Sequence, residues 1–228
     1  MSELPQIELR GLRRRQGVQG AVLVLNGATR AELGRATDLA ARLVDRCMLV
    51  AVDGGLKTCR AARRRPDLWV GDGDSSRTIP TRIPTVVYPT DKDISDLGAA
   101  LDEVARGGAQ VVVVAGLLGG RLDHEWANLQ ELGARSTSFA GILASTGRGA
   151  VLVTRQGCRA RTVPGRTVSL MVLGGAATVT LRGTRWKLER RRLRPGSRGL
   201  SNLTGERLDL TVHGGAVALV FPSGTDAP

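Results

Sequence analysis

The chain has 228 residues, 42% of them hydrophobic, with 30 glycines and 9 prolines, so it can bury one or two cores linked by many turns and does not read as a disordered polymer. No apolar run reaches the ~18–20 residues needed to cross a bilayer, and the start, MSELPQIELRGLRRRQ, lacks the apolar stretch of a secretory leader; a cytoplasmic protein without membrane association is expected. The net charge of +12 is nearly all arginine spread along the chain, and aromatics are only 3%, so no nucleic-acid partner is expected, while a polyphosphate ligand would gain from the same field.

In chain order, residues 20–26 (GAVLVLN) form a continuous apolar run closed by Gly27, which predicts a strand buried on both faces. A helix is predicted over 29–45, where Leu33, Ala36, Leu39, Ala40, Leu43 and Val44 recur at three- and four-residue steps. Strand 48–52, helix 55–64, strand 68–70 and a short strand at 86–88 follow. Asp93 is a candidate N-cap for a helix presenting Leu97, Ala100, Leu101 and Val104. GAQVVVVAG (108–116) is the clearest buried strand, and helix 122–134 is expected to turn Leu122, Trp126, Leu129 and Leu132 inward. The arginine runs at 13–15, 63–65 and 190–192 read as solvated faces. This βαβα grammar predicts an α/β fold, a mostly parallel sheet flanked by helices over 18–147. From about residue 148 short β-like segments with Gly and Pro between them replace it, which predicts a small all-β sandwich domain over 148–228. Cys47, Cys59 and Cys158 form no CxxC or Cys/His cluster and are expected to be free core thiols.

Ligands of such sheets bind beyond the carboxyl ends of the strands, where AVDGG (51–55), GDGDS (71–75) and GLLGGRLDH (116–124) all fall. Asp72 and Asp74 crowd two carboxylates around Gly73, an arrangement that suits Mg²⁺ shared with substrate phosphates but also suits a turn, and both readings stand on these residues alone. An EF-hand fails, because the twelfth positions are Ile83 and Thr85 instead of glutamate. Asp96, in the first turn of a helix, is a capping residue or a third ligand. Gly119 and Gly120 let backbone approach a phosphate, Arg121 can clamp one, and Asp123 can steady Arg121 or a metal-bound water. Neither a Walker A loop nor GxGxxG is present there.

Taken together, DGG (53–55), PDLWVGDGDS (66–75), DKDISDLGAAL (91–101), GLLGGRLDHEWAN (116–128), GTRWKL (183–188) and LSN (200–202) resemble the thiamine pyrophosphokinase family in order and spacing. The resemblance implies a homodimer with active sites between subunits, and transfer of the diphosphoryl group of ATP to the thiamine hydroxyl with AMP leaving. It implies Mg²⁺ on Asp72, Asp74 and Asp96, and ATP phosphates on Asp53, Gly54, Gly119, Gly120 and Arg121. Asp96, Arg121, Asp123 and Lys92 would surround the reaction, and Trp186, Ser201 and Asn202 would bind thiamine. The alternatives are a pyrophosphokinase acting on another heterocyclic alcohol, such as a pterin, and a nucleotide-binding regulator without activity.

Overall fold

The computed structural model describes residues 5–12, 20–73, 80–91 and 93–223. Two compact units result. One comprises Arg14–Glu131 with Ala144–Thr146; the other comprises Met1–Arg13, Leu132–Leu143 and Gly147–Pro228. Both units are discontinuous in the chain.

The elements run β1 (Gln6–Leu9), β2 (Gly20–Val24), α1 (Arg30–Leu43), β3 (Cys47–Val52), α2 (Gly55–Ala61), β4 (Leu68–Gly71), β5 (Thr85–Val87), α3 (Asp96–Arg106), β6 (Val111–Ala115) and α4 (Leu122–Arg135). A 3₁₀ turn at Ser136–Ser138 precedes β7 (Gly141–Thr146), β8 (Gly149–Thr154), β9 (Gly157–Arg161), β10 (Thr167–Thr184), β11 (Leu188–Leu193) and β12 (Asn202–Pro222).

In the α/β unit the strands lie in the order β6-β2-β3-β4-β5, and every one of these pairings is parallel. Val24 of β2 lies beside both Ala51 of β3 and Ala115 of β6, so the ends of the three strands are level. β2 and β6 are buried along their whole length, as unbroken Val/Leu/Ala runs require. Helix α1 starts at a reciprocal cap: Glu32 N–H donates to Thr29 Oγ1 at 3.1 Å, and Thr29 N–H donates to Glu32 Oε2 at 2.9 Å. Its apolar stripe, Leu33, Ala36, Leu39 and Ala40, is buried.

Three local expectations fail. The cap of α3 is Ser95, two residues beyond Asp93; its Oγ accepts from Gly98 N–H at 3.0 Å, and the helix begins at Asp96. On α4, Leu122 and Trp126 are 80% and 67% exposed; only Leu132 of the predicted stripe is buried. Cys59 and Cys158 are buried free thiols, but Cys47 is exposed at the first position of β3.

The β unit is built on two long strands. β10 runs for 18 residues and β12 for 21; Leu170 lies opposite Leu219, Thr180 opposite Thr211 and Thr184 opposite Thr204. The glycine pairs Gly174–Gly175 and Gly214–Gly215 lie inside these strands at register shifts. β12 also pairs antiparallel with β8 and with β9, and β9 pairs with β1. Arg10, at the end of β1, donates to Asp209 Oδ1 of β12 at 2.6 Å, and Arg159 of β9 donates to Oδ2 at 3.2 Å.

Candidate functional site

The chain steps outward from β2 through β3, β4 and β5, then returns to the other flank of β2 as β6. At such a reversal the loops leaving the two central strands part, and a crevice opens beyond their carboxyl ends. A cavity of about 620 Å³ occupies that position, lined by Asn26 after β2, Asp53 after β3, Ser95 and Asp96 at the start of α3, and Gly119, Gly120, Arg121, Glu125 and Asn128 around the start of α4.

Its floor is set by the DGG turn. Asp53 has φ +41, a left-handed conformation uncommon for a residue with a side chain, and its backbone is pinned: its N–H donates to Val70 O at 2.7 Å and its carbonyl accepts from the buried Trp69 indole N–H at 3.0 Å. Glycine follows of necessity. A Cβ on Gly54 would lie 2.4 Å from Asn26 Oδ1, and one on Gly55 would lie 1.8 Å from Val24 O, so α2 starts hard against the end of β2. Asp53 is 4% exposed, and its Oδ1 is buried with no hydrogen-bond partner. An orphaned carboxylate oxygen beside Asp96 in one cavity is hard-cation chemistry.

Asp72 follows the end of β4, while Asp74 and Lys92 lie outside the described residues. Among the described residues no three acidic, His or Cys side chains are grouped closely enough to hold a metal by themselves. Mg²⁺ is commonly held by one or two carboxylates together with substrate phosphates, so this donor set fits that ion without a dedicated cage.

The loop from Gly116 to Arg121 is braced from α4, where Asn128 Nδ2 donates to Leu117 O at 3.1 Å. Arg121 grips Asp123 with both ends of its guanidinium, Nε to Oδ1 at 3.2 Å and Nη2 to Oδ2 at 2.5 Å. That contact raises the arginine and holds the Asp123 carboxyl below its ordinary range. A carboxylate so stabilised is a weak proton acceptor and a good brace for Arg121. The N–H of His124, in the first turn of α4, donates to Asp123 Oδ1 at 3.0 Å. Glu125 accepts from the backbone N–H groups of both Gly119 and Gly120, the latter at 3.1 Å. Asn26, Glu125 and Asn128 escaped the sequence reading; only their nearness to the glycine-rich loops hinted at them.

In the β unit, Trp186 is 53% exposed, and the Arg185 guanidinium lies over its ring, 5.2 Å from the centroid. The indole thus already carries a cation on its face. Asn202 is only 5% exposed, and its amide serves Trp186: Oδ1 accepts from Trp186 N–H at 3.0 Å and Nδ2 donates to Trp186 O at 2.8 Å. Thr184 Oγ1 donates to the same carbonyl at 3.1 Å. Ser201 has φ +55, and its N–H donates to Ser169 Oγ at 3.1 Å. Asn202 therefore fixes the main chain of Trp186 and leaves the ring in solvent.

Two family models match the chain: "Thiamin pyrophosphokinase, catalytic domain" over residues 40–140 and "Thiamin pyrophosphokinase, vitamin B1 binding domain" over residues 157–213, together more than half of it. Among solved structures it is similar to thiamine pyrophosphokinase from Bacillus subtilis, with 19% identity, a TM-score of 0.72, and coverage of 90% of this chain and 100% of that one. It is likewise similar to the enzyme from Geobacillus thermodenitrificans (21%, TM-score 0.67, 91% and 100%). Thiamin pyrophosphokinase from Candida albicans matches at 12% identity and a TM-score of 0.66, over 98% and 100%. At these identities the structural likeness is one of fold. No curated protein matches the chain.

Proposed function

The chain belongs to the thiamine pyrophosphokinase family, and on that premise we propose that it moves the diphosphoryl group of ATP onto the hydroxyl of thiamine, giving thiamine diphosphate and AMP. The observation that carries this reading is the switch-point cavity, which gathers Asp53, Asp96, a glycine-rich loop and Arg121 on one sheet edge. The thiamine hydroxyl oxygen forms a bond to the β-phosphorus of ATP as the bond from that phosphorus to the α,β-bridging oxygen breaks; AMP leaves with the bridging oxygen, and the hydroxyl proton passes to solvent. Such transfer depends mainly on positioning and charge neutralisation. Asp72, Asp74 and Asp96 would hold Mg²⁺, with Asp53 as a further donor. The ion, when bound, supplies positive charge against the phosphates. The N–H groups of Gly119 and Gly120 and the forked Arg121 bind phosphate oxygens. Asp123 orients Arg121. Trp186, held by Asn202, would meet the thiazolium ring on the indole face that the Arg185 guanidinium does not cover. The enzyme is read as a homodimer.

Incubation with Mg·ATP and thiamine, following thiamine diphosphate and AMP, tests the assignment. Equal yields of the two products, lost in Asp96→Asn, are expected. ADP in place of AMP would mean monophosphoryl transfer and sink the mechanism.

A further inference from the structure

The glycine-rich loop before α4 is not empty of anions. Glu125 lies in the first turn of α4 and bends back so that a single oxygen, Oε1, accepts from the consecutive backbone N–H groups of Gly119 and Gly120. An ordinary helix cap would stop one step earlier. The backbone N–H of Glu125 donates to Arg121 O at 3.0 Å, which makes Arg121 the residue on which a capping carboxylate would close. The Glu125 side chain passes Arg121 and reaches into the loop itself. Two adjacent N–H groups converging on one oxygen form a small anion cradle, and a Cβ built on either glycine meets nothing within 4 Å, so no other segment crowds the two glycines. The same residues line the cavity beyond β2 and β6. Arg121, the other phosphate-binding group of that loop, is likewise engaged by a carboxylate of its own chain, Asp123.

We propose that Glu125 is a built-in stand-in for phosphate: its carboxylate occupies the two N–H groups that a phosphate oxygen of ATP takes, and ATP must displace it to bind. The proposal rests on the loop being the phosphate site, as argued above. It makes Glu125 a positioning residue with a cost attached. It keeps the cradle formed while the site is empty of nucleotide, and it subtracts from ATP affinity both by competing for the donors and by like-charge repulsion.

The test is binding of inorganic pyrophosphate, ATP and adenosine to the full chain and to Glu125→Gln, Glu125→Ala and Arg121→Gln, with thermal melts to establish folding. Both contacts lie at the protein surface, so removing the competitor should tighten pyrophosphate and ATP by roughly three- to tenfold, about 0.7–1.4 kcal/mol. Adenosine, which carries no phosphate, should bind unchanged, and the KM for ATP should fall while that for thiamine does not move. A general loosening of the loop would not separate phosphate from nucleoside in this way. Raising salt should narrow the gap between wild type and variants. Weaker or unchanged pyrophosphate binding in both Glu125 variants, with Arg121→Gln impaired, would overturn the inference alone and leave Glu125 as a loop brace. Unchanged pyrophosphate binding in Arg121→Gln would remove the loop as the phosphate site, and the inference with it.

Discussion

Asn202→Ala separates what holds Trp186 from what Trp186 does. The amide oxygen accepts from Trp186 N–H at 3.0 Å and from Leu203 N–H at 2.9 Å, and the amide nitrogen donates to Trp186 O at 2.8 Å. Truncation removes all three bonds. At about 1 kcal/mol net apiece they sum to ~3 kcal/mol, but Trp186 lies at the surface and water can reach its backbone, so about 1.5–2.5 kcal/mol is expected. For a chain of this size each kcal/mol lowers Tm by about 2–4 °C, which puts the loss at roughly 3–10 °C. The Trp186 carbonyl keeps only the Thr184 hydroxyl, so the indole should lose its fixed height above the β unit. Thermal melts followed by tryptophan fluorescence read the first effect. Separate KM values for thiamine and ATP read the second, with thiamine raised and ATP unmoved. A Tm shift below about 1 °C together with an unchanged thiamine KM would refute the reasoning.

Trp186→Ala should raise the thiamine KM by roughly two- to thirtyfold, the range of a cation–π contact of ~0.5–2 kcal/mol, with ATP kinetics as the internal control. Gly55→Ala should cost about 3 kcal/mol or more in urea unfolding, because the new Cβ lies 1.8 Å from the Val24 carbonyl and neither backbone can yield cheaply. Asp209→Asn tests the tie between β1 and β12. Partial burial raises the Asp209 pKa, but Arg10 and Arg159 outweigh it, so the net shift is downward. A depressed native pKa means the stabilisation is complete above the unfolded value of about 4 and is lost as pH falls through the native one. The side chain is 38% exposed, so solvent screening holds the effect to about 1 kcal/mol or less at pH 7. Melts of wild type and Asp209→Asn should therefore differ at neutral pH and converge below about pH 4; a constant gap across that range would remove the carboxylate from the account.

Buried strands and the glycine turns between them were readable because local composition decides them. Val111–Val114 admits few fates other than a strand covered on both faces, and Asp53-Gly54-Gly55 could only be a tight turn beside a neighbouring backbone. The same local signal misled where a longer-range partner set the outcome. Leu122 and Trp126 repeat at helical spacing, yet both lie exposed on α4, while Leu132 further along the helix is buried. Gly174–Gly175 and Gly214–Gly215 look like turns, but β10 and β12 run through them side by side, and their pairing carries each strand across the glycines. In the site, carboxylate and arginine positions could be read from residue type. The roles of Glu125 and Asn202 could not, because each acts on main chain that another segment brings to it.

The β unit has a consequence for how the protein is made. Its first strand, β1, pairs with β9 about 150 residues later, and its longest strand, β12, ends just before the carboxyl terminus. A chain leaving the ribosome can complete β2 to β6 and the helices between them while β1 waits for β9 and β12. Until β9 is made, β1 lacks its partner strand, with Ile7 and Leu9 available to the wrong neighbour. Any amino-terminal fusion that restrains residues 5–10 would act on the last step of assembly, and its damage would appear in the carboxyl-terminal half of the protein.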